Sequence, residues 1–235
     1  MKSLIIASTS TLHGGTPLEY LLEPLKHHFS HTEDILFIPF ARPGGISHDA
    51  YTQAIQKAFE PLGKTIIGLH TCDNPKEAIA SAKGIFVGGG NTFVLVSQLY
   101  RFNVLESLKN AINSGTPYLG TSAGSNICGL TMNTTNDMPI VYPPSFKTLG
   151  IVPFNINPHY LDPDPNSKHM GETRETRIKE FHAYNTQPVI GLREGSYIKV
   201  EGDRLTLMGN LEARIFECGK VPYEIEPNAD LSFLK

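Results

Sequence analysis

The sequence contains no tryptophan and only three cysteines, Cys72, Cys128 and Cys218. They are far apart and odd in number, which argues against a disulfide framework, and their spacing does not suit zinc. Three reduced, buried thiols in a cytoplasmic protein are the expectation. Long apolar runs are missing as well. The opening Met1-Lys2-Ser3-Leu4-Ile5-Ile6-Ala7-Ser8 is too short for a secretory core, and no later stretch reads as a membrane span. Neither sign of charge is in excess: 20 Lys and Arg against 23 Asp and Glu leave a formal net charge of −3. A mildly acidic chain with scattered basic residues has no general pull on polyanions, so nucleic acid and anionic membrane are not expected partners. Internal repeats and low-complexity segments are absent, and so is any His-Glu-x-x-His cluster of a metallopeptidase.

What is present is an alternation of short β-branched runs with longer amphipathic ones. Strands are expected at Leu4–Ala7, Ile35–Pro39, Thr65–Leu69, Ile85–Val87, Tyr118–Thr121 and Ile151–Ile156. Helices are expected at Leu18–Phe29, His48–Leu62, Lys76–Lys83, Thr92–Leu99, Val104–Asn113 and Thr173–Tyr184. Apolar runs this continuous suit strands covered on both faces, hence a mostly parallel, doubly wound sheet in a three-layer α/β fold, here as one domain over 1–235. Four later runs, Val189–Leu192, Tyr197–Val200, Arg204–Leu207 and Arg214–Glu217, have short turn-rich separators and read as a C-terminal antiparallel meander. Asn133–Lys147, rich in Thr, Asn and Pro, reads as a long loop of the kind that often carries function.

The segment Gly120-Thr121-Ser122-Ala123-Gly124 places Gly-x-Ser-x-Gly between a strand and a helix. That context makes a nucleophile elbow: a sharp turn lifts the Ser122 hydroxyl above the sheet edge, and the flanking glycines relieve the crowding. The first helical amides, starting with Ala123, then face the same point and can hold an oxyanion. A second cluster, Gly88-Gly89-Gly90-Asn91-Thr92, also ends a strand and opens a helix. It lacks the spacing of a dinucleotide or phosphate loop, so its open amides are read as completing the oxyanion site.

A serine hydroxyl needs a base. Of nine histidines, His159 stands out, since it follows an apolar strand through Asn157-Pro158 and lies at the sheet edge where ligands bind. His27, His28 and His31 read as a solvated helix end. Two carboxylates compete to orient the imidazole: Glu194, in a turn directly after a strand, and Asp137, in the long loop. A strand end is more rigid than a loop, which favours Glu194 without excluding Asp137. Arg174, Ile178 and Phe181 share one helical stripe, so Arg174 points inward and needs an anionic partner, either a substrate carboxylate or an internal one such as Glu172 or Asp137. Glu175 and Lys179 read as an exposed i,i+4 pair.

Together, Gly88-Gly89-Gly90-Asn91-Thr92-Phe93, Gly120–Asn126, Thr134-Thr135-Asn136-Asp137-Met138-Pro139-Ile140, Ile156-Asn157-Pro158-His159 and Gly171-Glu172-Thr173-Arg174-Glu175 resemble the peptidase E family of α-aspartyl dipeptidases. The resemblance runs in order from about residue 85 to 195. It implies hydrolysis of small peptides, dipeptides with an N-terminal aspartate, without metal or cofactor. The implied fold is similar to class I glutamine amidotransferases, with serine in place of cysteine. It further implies Ser122 as nucleophile, His159 as base, Glu194 or Asp137 as third member, Gly90 and Ala123 as oxyanion donors, and Asn91, Arg174 and Asp137 as substrate contacts. Thr121 stands where a bulkier residue is expected in some relatives, a difference of pocket shape. Two other readings remain open on the same scaffold: a cyanophycinase-like hydrolase of an aspartate-containing polymer, and a non-catalytic binding protein. No oligomeric state follows from the sequence, and a homo-oligomer is compatible with it.

Overall fold

A computed structural model describes residues 1–166, 168 and 170–234. In chain order the elements are β1 (Ser3–Ala7), α1 (Leu22–His28), β2 (Asp34–Ile38), α2 (His48–Phe59), β3 (Thr65–Gly68), α3 (Pro75–Ser81), β4 (Ile85–Val87), α4 (Thr92–Arg101), α5 (Leu105–Asn113) and β5 (Tyr118–Thr121). They continue with α6 (Ala123–Asn126), β6 (Asn155–Pro158), α7 (Arg174–Phe181), β7 (Val189–Leu192), β8 (Tyr197–Glu201), β9 (Arg204–Met208), β10 (Ala213–Phe216) and β11 (Tyr223–Ile225). The main sheet has seven strands in the order β3-β2-β4-β5-β1-β8-β9. Its first five strands are parallel, and β8 and β9 join antiparallel.

Alternation along each strand sorts the core into two layers. Leu4, Ile6, Leu36, Ile38, Ile85 and Val87 face one side, against Leu95, Leu99, Leu108 and Ile112 of α4 and α5. Their neighbours Ile5, Ala7, Ile35, Phe37 and Phe86 face the other, against Leu25, Tyr51, Ile55 and Phe59 of α1 and α2. A strand that must bury both faces has no polar side, which is why these runs read as continuous apolar stretches. The result is the expected three-layer α/β architecture.

Several details differ from the sequence reading. The C-terminal strands are shared between sheets: β8 and β9 extend the main sheet, whereas β7 and β10 lie in a four-stranded second sheet, β11-β10-β7-β6. Here β6 and β7 run parallel, with Pro158 paired to Leu192. Strand β6 also begins four residues later than expected, because Ile151 and Val152 donate their amides to the Cys128 carbonyl, and the ladder starts only at Asn155, bonded to Pro188. Asn157-Pro158 is therefore strand rather than connector; proline is tolerated at this terminal position, where it lacks only a donor. The thiols are free, as expected, but only Cys128 is buried; Cys72 is half-buried and Cys218 exposed in the turn after β10. Among the described residues no helix is long and apolar enough to cross a membrane.

Candidate active site

Ser122 sits between β5 and α6 with φ 53° and ψ −109°, a conformation costing a non-glycine residue about 1–3 kcal/mol. The surroundings over-determine it. Its N–H donates to Ala7 O (3.2 Å), and its carbonyl accepts from the amides of Ser125 (3.0 Å) and Asn126 (2.9 Å). Ser125 Oγ donates to Ala7 O (2.6 Å) and Asn126 Nδ2 to Ile156 O (2.7 Å), fastening the short helix to β1 and to β6. The flanking glycines are steric necessities: a Cβ on Gly124 would lie 2.1 Å from Val87 O, and one on Gly120 would lie 2.5 Å from Gly124 O.

His159 comes from the second sheet. It too has a left-handed backbone, φ 52°, and is held there by Ser8. The Ser8 hydroxyl accepts the His159 N–H (2.9 Å) and donates to Leu192 O (2.7 Å), so one side chain at the end of β1 ties both strand ends of the second sheet to the main sheet. Because β6 and β7 are parallel neighbours in register, the residues just beyond them emerge side by side. His159 Nε2 lies 2.9 Å from Ser122 Oγ, and His159 Nδ1 lies 2.6 Å from Glu194 Oε1. The tautomer consistent with both contacts has Nδ1–H donating to Glu194 and a bare Nε2 facing the serine. The imidazole and the carboxylate are partly open to solvent, 36% and 44% exposed.

Asp137, the other candidate orienter, is elsewhere. Its Oδ2 accepts from Thr92 N (2.7 Å), Thr92 Oγ1 (2.7 Å) and Thr135 Oγ1 (3.0 Å) at the start of α4, a carboxylate at a helix N-terminus. Asn91 is the N-cap of that helix, accepting from Val94 N (3.1 Å) and donating to Met138 O (2.9 Å), so both ends of its amide are used. The long loop is thus fixed, not slack: Asn136 Nδ2 donates to Pro158 O (2.6 Å) and Asn157 Nδ2 to Thr134 O (2.8 Å) and Asn136 Oδ1 (2.7 Å).

Gly90 has φ 142°, and a Cβ there would meet Ala41 O at 2.3 Å. The adjoining Gly89 packs against Ser122, with a notional Cβ 3.0 Å from the serine Cβ. Among the described residues neither the Gly90 nor the Ala123 N–H has a backbone acceptor. Arg174 is the first residue of α7, which Thr173 caps by accepting from Thr176 N (3.1 Å). No carboxylate among the described residues lies within 4.0 Å of it, whereas Arg177 reaches Glu172 at 3.8 Å. Partial burial, followed by the charge of Arg177, pulls the Arg174 guanidinium below its ordinary pKa. Its side chain lines a cavity of about 390 Å³ with Leu161, Asp162, Gly171 and Glu172, and a small cleft against Asn136 and Asn157. Glu175 keeps Lys179 at 2.6 Å but also takes Arg214 at 2.8 Å, so it is a half-buried junction rather than an exposed pair. Among the described residues no three His, Cys, Asp or Glu side chains cluster as a metal site would require.

The model of peptidase family S51 matches residues 4–208. The chain belongs to peptidase family S51. Its relatives in this family include a Drosophila melanogaster protein named "Probable alpha-aspartyl dipeptidase", 44% identical over 99% of this chain and 97% of that one. A Streptomyces coelicolor peptidase E is 47% identical over 99% and 94%. In three dimensions the chain is similar to a peptidase from an acI-B1 actinobacterium, with a TM-score of 0.74, 19% identity, and coverage of 99% of this chain and 97% of the other. At that identity the likeness shows the fold alone.

Sequence reasoning overlooked Ser8. The signal was available, a small polar residue ending an apolar strand, but its partners lie some 150 and 180 residues away.

Proposed function

We propose that this S51 chain is a serine dipeptidase that cleaves dipeptides carrying an N-terminal aspartate, through an acyl-enzyme on Ser122. The observation that carries the reading is the relay of 2.9 Å and 2.6 Å contacts joining Ser122 Oγ, His159 and Glu194. The name of the Drosophila relative, an alpha-aspartyl dipeptidase, suggests the substrate class. In this mechanism Ser122 Oγ attacks the aspartyl carbonyl carbon as its proton passes to His159 Nε2. Glu194 stays ionised and stabilises the imidazolium. The amides of Gly90 and Ala123 receive the oxyanion, each donor being worth about 10²–10³-fold in rate. The peptide C–N bond breaks as His159 protonates the leaving amine. Water, deprotonated by the same imidazole, then attacks the ester, frees aspartate and restores the Ser122 hydroxyl.

Arg174 selects the aspartate side chain in this reading. Among the described residues no carboxylate lies within 4.0 Å of this half-buried guanidinium, which lines a cavity of about 390 Å³ shared with Asp162, Asp164, Glu172 and Arg177 and can offer its fork to a substrate carboxylate. Asn91 and Asp137 are both engaged at the α4 N-terminus, from where the Asp137 charge acts on Arg174. The test compares the wild-type protein with Ser122→Ala on Asp-Leu, Glu-Leu, Asn-Leu and β-Asp-Leu. Asp-Leu should be cleaved far faster than the rest by the wild type and not at all by the folded variant. Undiminished turnover by Ser122→Ala would refute the assignment of the nucleophile.

A further inference from the structure

Glu194 has a single hydrogen bond among the described residues, the one to His159, and is 44% exposed. Its aim therefore depends on how its backbone is held. The turn that carries it starts at Arg193, closed by Ser196 N donating to Arg193 O (3.1 Å). The Arg193 side chain is 17% exposed and uses its donors in three directions. Nε and Nη2 bind Asp162 as a fork, at 2.9 and 2.7 Å. Nη1 and Nη2 reach Glu224 of β11 at 2.9 and 3.2 Å, and Nη1 also reaches Glu212 O at 2.7 Å. The guanidinium lies 5.5 Å from the centre of the Tyr160 ring. Asp162 and Tyr160 belong to the segment that leaves His159, so one side chain grips the chain just after the imidazole and just before the carboxylate.

We propose that Arg193 is a positioning residue: by binding Asp162 and Glu224 together it sets the separation between His159 and Glu194. The inference rests on the reading of Ser122, His159 and Glu194 as the catalytic relay. Two features favour it over a merely stabilising ion pair. The fork geometry restrains direction as well as distance, which a lysine would not do. Pro163 also follows Asp162 directly, stiffening the backbone at the gripped position. Glu224 is shared with Arg214 (2.7 Å), which in turn holds Glu175 of α7, so the anchor extends to the helix that begins at Arg174.

The experiment uses the full chain with Arg193→Met, Arg193→Lys, Asp162→Asn and Ser122→Ala. Asp-Leu kinetics, thermal melting and the proton NMR signal of the His159 Nδ1–H are recorded for each. In Arg193→Met, kcat should fall about 10–100-fold, the effect of roughly ångström misplacement, with KM within about twofold. The Nδ1–H signal, protected by Glu194 in the wild type, should broaden. Arg193→Lys and Asp162→Asn should fall in between. A folded Arg193→Met or Asp162→Asn with wild-type kcat and an unchanged Nδ1–H signal overturns the proposal, and so does a loss confined to melting temperature. Should Arg193→Met not fold, Asp162→Asn decides by the same criteria. Should Ser122→Ala retain turnover, the catalytic reading fails, and the Nδ1–H signal still reports whether Arg193 holds Glu194 on His159.

Discussion

Adding one methyl group at Gly124 isolates the sterics of the elbow from its chemistry. A Cβ there would sit 2.1 Å from Val87 O, 2.9 Å from Val87 C and 3.0 Å from Val87 Cβ, whereas real Cβ contacts hardly ever fall below 3.0 Å. The clash is with strand backbone, so relief requires α6 and β4 to part by about 0.9 Å. Both elements are fixed, β4 between β2 and β5 and α6 by the Ser125 and Asn126 bonds. Overpacking of this kind costs about 2–3 kcal/mol, because a close-packed interior has no slack to take up the volume. For a chain of this length that corresponds to a melting temperature lower by about 5–10 °C. The same displacement moves Ser122 relative to His159, so kcat for Asp-Leu should drop about 10–100-fold. Gly44→Ala is the control: it has nothing within 4 Å, an ordinary φ and an exposed position, and should stay within about 0.5 kcal/mol of the parent. Calorimetry and steady-state kinetics on both variants check this. If Gly124→Ala melts and turns over like Gly44→Ala, the contact between elbow and strand is not what forces glycine there.

Four further outcomes are expected. Glu194→Gln removes a charge-assisted hydrogen bond worth about 1.5–3 kcal/mol and should lower kcat about 10–100-fold. Asp137→Ala removes the acceptor for Thr92 N and should lower stability by about 1–2 kcal/mol. An Asp137→Ala variant that folds fully but is dead, beside a fully active Glu194→Gln, would reverse their roles. Arg174→Ala should cut kcat/KM for Asp-Leu by about 30-fold or more, from loss of a desolvated ionic contact of about 2–5 kcal/mol, while slow Asn-Leu cleavage changes little; equal losses on both would make the arginine structural. His28 concerns acid stability. Burial of its ring pushes its pKa down from 6.5 to about 4, against the opposing effect of the hydrogen bond between Nε2 and Tyr118 O (3.1 Å). Protonation therefore favours the unfolded chain, and this contribution, intact above pH 6.5, is lost progressively down to about pH 4, for a total of about 2–4 kcal/mol. His28→Gln should flatten the fall in melting temperature across that window; an identical slope in parent and variant would rule the histidine out.

Where a feature was local, the residues announced it. The elbow was legible because strand, turn and helix occupy one short stretch, and Gly120, Ser122 and Gly124 have spacing that only a tight turn requires. Glu194 and His159 were legible as residues just past strand ends. What brings Glu194 rather than Asp137 against His159 is not local. It is the parallel register of β6 with β7, which brings Pro158 beside Leu192, and the attraction of the α4 N-terminus for the Asp137 carboxylate. The division of the last strands between two sheets was hidden for the same reason, since short turn-rich separators look alike whichever sheet the next strand joins. His28 read as solvated because a helix end does not disclose what packs over it; here its ring meets Tyr118 O from β5. Strand β11, with all three residues half-buried, lacked the apolar contrast that marked the others.

The hydroxyl of Ser8 gives the two contacts of the relay unequal fates. The imidazole follows β6 of the second sheet and the carboxylate sits on the turn leading from β7 of that sheet to β8 of the main one, whereas the serine follows β5 of the main sheet. A shift of one sheet against the other would act directly on the 2.9 Å contact to Ser122, which joins residues following β6 and β5. The aim of the imidazole at Ser122 is thereby set across two sheets, by the Ser8 hydroxyl together with the Asn126 bond to Ile156 O.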